Sequence, residues 1–413
     1  MKPHTALKNK LKSGGIALAL ALMLTTICHA QHNVIYWNGD STNLQTLASS
    51  SYDVVIVDFV TPDQNCDLSW GGTTPNGGLP SDIGTSIQTL HLVNPYKIVL
   101  VSFGGADNVD PNTGEDYTSE GYQACSYNMS YLVNQLQTIA NTNGFDGVDI
   151  DFEDTNAFLN SSDPNHADYD GVAFLVQLTV YLYDNMVTAN GINIITHAPQ
   201  SPYWFPVGDP EAEGFNWGYP GGPYQWIEKN TYAYEPYPYG AAMISWYNNQ
   251  FYDNQVDDQD DATKVNAYKN ISGVTGTARL LMGVALDNSI EGSIMSPQDM
   301  VQNVIQPLQN FSTSNGSSFG GVMAWDYDDD LNNWGGAWGS TAGQALGIAP
   351  GVSSAETAHA GLSAGAGLSV DAGLSAHAHA GPSAHAGQSK RHSRCGAGTK
   401  NECPAGPSPR PGR

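Results

Sequence analysis

The stretch Asp146-Gly147-Val148-Asp149-Ile150-Asp151-Phe152-Glu153 constrains what this chain can fold into more than any other. Side chains alternate along a strand, so Val148, Ile150 and Phe152 share one face while Asp149, Asp151 and Glu153 share the other. The apolar face predicts a buried strand packed against helices, which an edge strand in solvent would not need. Three carboxylates crowded on the opposite face push one another's pKa values apart, so that the last carboxyl can stay protonated near neutral pH. That is the requirement for a general acid. A metal site and a solvated acidic strand are the competing readings.

The surroundings of this strand predict a barrel. Short apolar runs at 33–37, 53–60, 96–103, 145–152, 192–197, 241–247, 280–286 and 320–326 read as strands. Their Val/Ile-rich composition without strict alternation is that of parallel strands buried on both faces. Helical patterns lie between them. Met129, Leu132, Val133, Leu136 and Ile139 share a face of 126–141 behind a capping Ser126. Val172, Leu175, Leu178, Leu182 and Met186 do the same in 168–187, and Ser296-Pro297 opens a helix over 297–306. Strands alternating with helices in one domain predict an α/β fold of the (β/α)8 TIM-barrel type over residues 31–350. No Gly-x-Gly-x-x-Gly follows the first strand, which argues against a dinucleotide-binding sheet.

Barrel enzymes work at the C-terminal ends of their strands. The predicted ends here carry Ser102-Phe103-Gly104-Gly105, the acidic triplet, Thr196-His197-Ala198-Pro199-Gln200, Ser245-Trp246-Tyr247-Asn248-Asn249 and Met323-Ala324-Trp325-Asp326. His197 reads as a structural histidine near the site. The stretch 201–240 is rich in Tyr and Trp, and either builds sugar-stacking subsites or packs a long loop around its prolines and glycines.

The two ends of the chain differ from its middle. Residues 1–30 combine Lys2, Lys8, Lys10 and Lys12 with an apolar run from Gly15 to Ile27 and Cys28-His29-Ala30, the pattern of a cleaved secretory signal. The mature protein is therefore expected to be secreted, extracellular and monomeric, with no later membrane span. Residues 351–413 turn to Ala, Gly, Ser and His and lack the apolar side chains for a core. Export makes disulfides plausible. Cys66 with Cys125 and Cys395 with Cys403 is one of the three pairings that four cysteines allow. Residues 31–351 hold five basic against thirty-seven acidic residues, a net of −32, which excludes nucleic acid and anionic membranes as partners. Such a domain suits an uncharged or cationic substrate.

The acidic octet has the form Asp-x-x-Asp-x-Asp-x-Glu and resembles the signature of glycoside hydrolase family 18, the chitinase family. Ser-x-Gly-Gly, Ala-Pro-Gln, Tyr-Asn-Asn and the lone Trp at the last strand end are similar to those of its small plant-like and fungal-like chitinases. With only 287–319 between the last two strands, the inserted α+β domain of the processive enzymes has no room, which suggests an open groove and endo-type cleavage. The resemblance implies a retaining mechanism in which the substrate's own N-acetyl group is the nucleophile. It makes Glu153 the acid/base, Asp151 its partner, Asp149 the group sharing Asp151's proton, and Tyr247 the residue that positions the acetamido group. Trp325 would floor the site, with Asn248, Gln200, Ser102, Gly104 and Met323 around the sugar. Neither a metal nor a cofactor is implied. The implied partner is chitin or N-acetylglucosamine oligomers. An endo-β-N-acetylglucosaminidase acting on N-glycans would share octet and mechanism, and a non-catalytic chitin-binding lectin would share the fold.

Overall fold

The computed structural model describes residues 31–38, 44–70, 82–106, 118–187, 194–232, 242–254, 260–287, 290 and 296–348. The leader read at 1–30 and the tail read at 351–413, with Cys395 and Cys403, lie outside the described residues. Nine strands run in chain order: β1 His32–Trp37, β2 Val54–Pro62, β3 Leu68–Trp70, β4 Ile98–Gly104, β5 Gly147–Asp151, β6 Ile194–His197, β7 Trp246–Gln250, β8 Leu280–Ala285 and β9 Gly321–Trp325. Their order in the sheet is β1-β9-β8-β7-β6-β5-β4-β2-β3, and the further pairing of β1 with β2 closes eight of them into a barrel. The ring pairings are parallel, and β3 hangs antiparallel on β2. The expected (β/α)8 barrel is the observed fold.

Strand alternation splits the apolar side chains into two layers. Val34, Tyr36, Val54, Ile56, Leu100, Leu281 and Met323 fill the barrel interior. Ile35, Val55, Val57, Val99, Val101, Val148 and Ile150 point outward and pack against helix residues such as Leu132, Leu136, Leu175, Leu178, Val304 and Leu308. A fully buried Leu or Val contributes about 1.5–3 kcal/mol, so the outer layer, more than helix propensity, holds the helices in place. The 3.6-residue pattern lands as expected in Met129–Asn143 and Gly171–Leu182. Ser126, however, belongs to the preceding helix Thr118–Tyr127 and bonds back to the Gln123 carbonyl at 2.7 Å. The helical periodicity runs across both helices and hides the break at Asn128. Ser296 does cap its helix, accepting from the Asp299 N–H at 3.1 Å. A disulfide joins Cys66 to Cys125, with Cα atoms 4.9 Å apart, and ties the β2–β3 turn to helix Thr118–Tyr127.

One strand is displaced from its predicted span. The apolar run ending at Ile244 suggested a strand over 241–247, whereas β7 starts at Trp246 and continues through Asn248, Asn249 and Gln250 to its end. Polar residues that looked like a strand end are strand interior, because each finds a buried partner. Asn248 and Gln250 bond to carboxylates inside the barrel, and the Asn249 side-chain oxygen accepts from Trp204 Nε1 at 2.7 Å outside it.

The stretch after β6 settles much of the loop question in favour of packing. It folds into short helical turns and helix Pro223–Tyr232, and Tyr203, Trp204, Trp217 and Tyr224 are buried. Trp226 and Tyr232 stay 37% and 45% exposed, while residues 233–241 lie outside the described residues.

Candidate active site

The inner face of β5 lifts the three acids from mid-barrel to its C-terminal mouth. Asp149 is deepest and fully buried. Register places Ser102 of β4 on one side of it and Thr196 of β6 on the other. Its Oδ2 accepts from Ser102 Oγ and from Tyr36 Oη, each at 2.8 Å, and its Oδ1 accepts from Thr196 Oγ1 and, at 3.0 Å, from Asn248 Nδ2. Burial pushes the Asp149 carboxyl up, and these four donors hold it back toward the ionised form.

Asp151 sits above it, buried, with the Gln250 amide donating to Oδ1 at 2.9 Å. Burial, then the neighbouring Glu153, Asp149 and Asp58 carboxylates, drive Asp151 well above the usual carboxylate range. Glu153 follows β5 and is partly exposed at the mouth. Its two oxygens accept from Gln250 Nε2 at 3.4 Å and Gln200 Nε2 at 3.3 Å. Burial raises it to about 7, with the amides of Gln250 and Gln200 pulling down and Asp253 pushing up. A carboxyl poised there can give a proton near neutral pH and take one back.

Glycines at the end of β4 let the backbone approach this strand. Gly104 has φ +123°, and a Cβ there would stand 1.9 Å from the Asp151 carbonyl oxygen. That same oxygen accepts from the Gly105 N–H at 2.7 Å. A side chain at Gly104 would push the catalytic strand aside. Trp325, at the end of β9, stacks on Phe59 with centroids 5.5 Å apart and leans on Tyr36 at 5.4 Å. Met323 lies below it, fully buried in the barrel interior.

Tyr247 does not reach the site. Its neighbour Asn248 points into the barrel, so alternation turns Tyr247 outward. There its hydroxyl donates to Glu228, and its ring packs edge-on against Trp204, Tyr224 and His197 in the outer layer. The sequence reading gave Tyr247 and Asn248 a common face, which two consecutive residues of one strand cannot share. Parity alone would have exposed this, and would have pointed to Gln250 and Tyr252. Tyr252 belongs to the inner cluster with Tyr36, Met323 and Trp325. Burial first, then the charges of Asp151 and Glu153, raise its hydroxyl well above the usual phenol range, so it keeps its proton as a donor. Tyr36, Thr196 and Gln250 are further site residues missing from the sequence reading; Tyr36 and Thr196 lie too far along the chain from the octet for spacing to reveal them.

His197 is structural, as expected. It is buried in the outer layer between Thr179 Oγ1 at 3.0 Å and Tyr224 Oη at 3.3 Å, and burial lowers it to about 3. Asp58 on β2 is an unexpected acid inside the barrel. It is buried, and burial, followed by Asp326 and Asp149, pushes its carboxyl well above the usual range. Among the described residues no group of three or more His, Cys, Asp and Glu side chains has the arrangement to hold a metal ion.

No protein-family model and no curated protein matches the chain by sequence. Solved structures do. A family 18 chitinase from Pseudoalteromonas aurantia is 26% identical, with a TM-score of 0.58 over 76% of this chain and 98% of that one. A fungal endo-β-N-acetylglucosaminidase of family 18 is 17% identical, with a TM-score of 0.51 over 76% of this chain and 97% of that one. The catalytic domain of a family 18 chitinase from the fern Peteris ryukyuensis is 15% identical, with a TM-score of 0.50 over 76% of this chain and 99% of that one. The last two, at that identity, speak for the fold alone. An eight-stranded barrel with its acid triplet at the mouth defines a sugar-cleaving barrel enzyme. In structure the chain is similar to the glycoside hydrolases of family 18.

Proposed function

We propose that this glycoside hydrolase is a secreted, endo-acting chitinase, cutting β-1,4 bonds between N-acetylglucosamine units with retention of configuration. The observation that carries the reading is Glu153 at the barrel mouth, with a proton affinity near neutrality, directly above Asp151. In this reading the acetamido oxygen of the substrate attacks C1 while Glu153 protonates the leaving glycosidic oxygen. Asp151 receives the acetamido N–H and offsets the positive charge that develops on the ring formed. Burial raises the proton affinity of Asp149 against the pull of its four donors, so that it shares Asp151's proton when Asp151 must be ionised. Glu153 then takes a proton from water, which opens the intermediate from the same face. Trp325 supplies apolar surface under the reacting sugar. The Cys66–Cys125 disulfide supports an exported protein, since such bonds persist in oxidising compartments.

Tyr252, rather than Tyr247, is the phenol that orients the acetamido carbonyl. Tyr252→Phe is expected to lower kcat on chitin oligomers by about 10–100-fold, the loss of one hydrogen bond made best in the transition state. Tyr247→Phe is expected to leave kcat within about twofold. The reverse ranking would return the role to Tyr247. The reading as a whole is tested by giving the wild-type protein chitin oligomers and an N-glycoprotein and following the anomer released. Oligomer cleavage with the β-anomer appearing first is the expected result. Cleavage of the glycoprotein alone would move the substrate to N-glycans, and binding without cleavage would make the protein a lectin.

A further inference from the structure

Among the described residues the acids at the mouth have no cationic partner. The charged and titratable groups that face Glu153 are Asp151 from β5, Asp253 just after β7, and the phenols of Tyr122, Tyr203, Tyr224 and Tyr252. None is basic. Of the buried or half-buried cations, Arg279 is bound to Glu228, Lys97 to the Tyr52 carbonyl and Lys264 to the Phe251 carbonyl. Burial and mutual repulsion both raise the proton affinity of the Asp151–Glu153 pair. Raised too far, the pair would give its proton reluctantly and would seldom be free to act as base.

Neutral donors occupy the place a cation would take. Gln250 Nε2 lies 2.9 Å from Asp151 Oδ1, 3.4 Å from Glu153 Oε1 and 3.1 Å from the Ala198 carbonyl, so one amide spans both acids and is anchored to the backbone. Gln200 Nε2 approaches the other Glu153 oxygen at 3.3 Å. The two glutamines are themselves aligned: Gln200 bridges Gln250 in parallel, and the Gln250 N–H donates to the Pro199 carbonyl at 2.8 Å. Gln250 is 3% exposed, too buried for its amide to have been placed by solvent.

We propose that Gln250 is a positioning residue for the acid pair: its amide, assisted by that of Gln200, holds Asp151 and Glu153 in reach of each other and stabilises their ionised forms. The proposal rests on the acid/base reading of Glu153 given above. It explains why Glu153 is only moderately raised despite its acidic surroundings, and it assigns the tuning to two uncharged side chains, one on β7 and one just after β6. An amide suits this role because it favours the anion without forming an ion pair that would hold the acid permanently ionised.

The test is Gln250→Met, which keeps length and removes the donor, with Gln200→Met as the second variant should the first fail to fold. Selective 13C labelling of glutamate carboxyls follows the Glu153 titration without substrate, and pH profiles of kcat/KM on chitin oligomers follow it in turnover. Removing the donor is expected to move the Glu153 titration and the alkaline limb of kcat/KM upward together by about 0.5–1 pH unit. The expected fall in kcat is about tenfold, with KM changed less than kcat. An unmoved titration in a folded variant, or a lower kcat with unmoved limbs, overturns the proposal and leaves Gln250 a packing residue. If the wild type cleaves no oligomer, the substrate reading fails, and the carboxyl titration still decides the role of Gln250.

Discussion

Glu153→Gln is expected to lose about 10²–10⁴-fold in kcat, the range that a positioned general acid supplies. The substitution keeps the shape of the side chain and an oxygen that can accept from Gln200 or Gln250, though not from both, so substrate binding should survive. In the wild type, kcat/KM should be high below about pH 7 and fall above it, because the form that protonates the leaving group is lost as pH rises through the raised Glu153 value. The residual activity of Glu153→Gln should lack that limb. The variant's stability should move opposite to its activity. Glu153 holds its proton to about 7 in the folded protein against 4.5 as its ordinary value, so the folded state binds more protons across that window and loses stability as pH rises through it. Gln removes this penalty, and the variant should melt at a higher temperature than the wild type at pH 8. Equal activity of the two proteins would remove Glu153 from the chemistry. A variant less stable at pH 8 would mean that its carboxylate is compensated by more than two amides.

That stability is given up at the acid triplet explains why the octet could be read so far from sequence. Three carboxylates opposite Val148, Ile150 and Phe152 contradict what a buried strand needs, and such a contradiction points to chemistry. The barrel was legible for a related reason. Runs such as Val54-Val55-Ile56-Val57 are apolar on both faces, as only a strand with cores on both sides requires. β7 is the case where this logic failed. Its inner face reads Trp246, Asn248, Gln250, with polarity satisfied by acids that come from more than ninety positions away in the chain. A strand whose polar residues are paid for by distant partners looks like a loop in isolation. The same distance hid Tyr36, which reaches Asp149 from β1, and Thr196, which reaches it from β6. His197, next to the inward Thr196, faces outward by alternation, into a layer that offers Thr179 and Tyr224.

The second large effect concerns the face on which Tyr247 lies. Glu228→Ala is expected to destabilise the fold by about 3–5 kcal/mol, the cost of leaving a buried charge without its partner. Glu228 is 7% exposed on helix Pro223–Tyr232. Its Oε1 accepts from Arg279 Nη1 at 2.6 Å and its Oε2 from Arg279 Nη2 at 3.2 Å, a two-point contact that only a guanidinium makes. Arg279 Nη2 also donates to the Ile244 carbonyl at 2.8 Å, at the entry to β7. Its guanidinium lies over the rings of Tyr247 and Tyr232, at 5.6 Å and 5.8 Å. One ion pair thus joins a helix, the start of β8 and the strand that carries Asn248 and Gln250 on its other side. In urea unfolding, Glu228→Ala should show a lower midpoint with the slope unchanged, while the folded fraction keeps near-wild-type kcat. Replacing both partners together, as Glu228→Met with Arg279→Met, should recover much of the loss, because a buried pair contributes little net stability against apolar residues of similar volume. A large drop in kcat at unchanged stability would mean instead that the outer face of β7 sets the position of Gln250 and Asn248, and that the network around Tyr247 acts on catalysis through the strand.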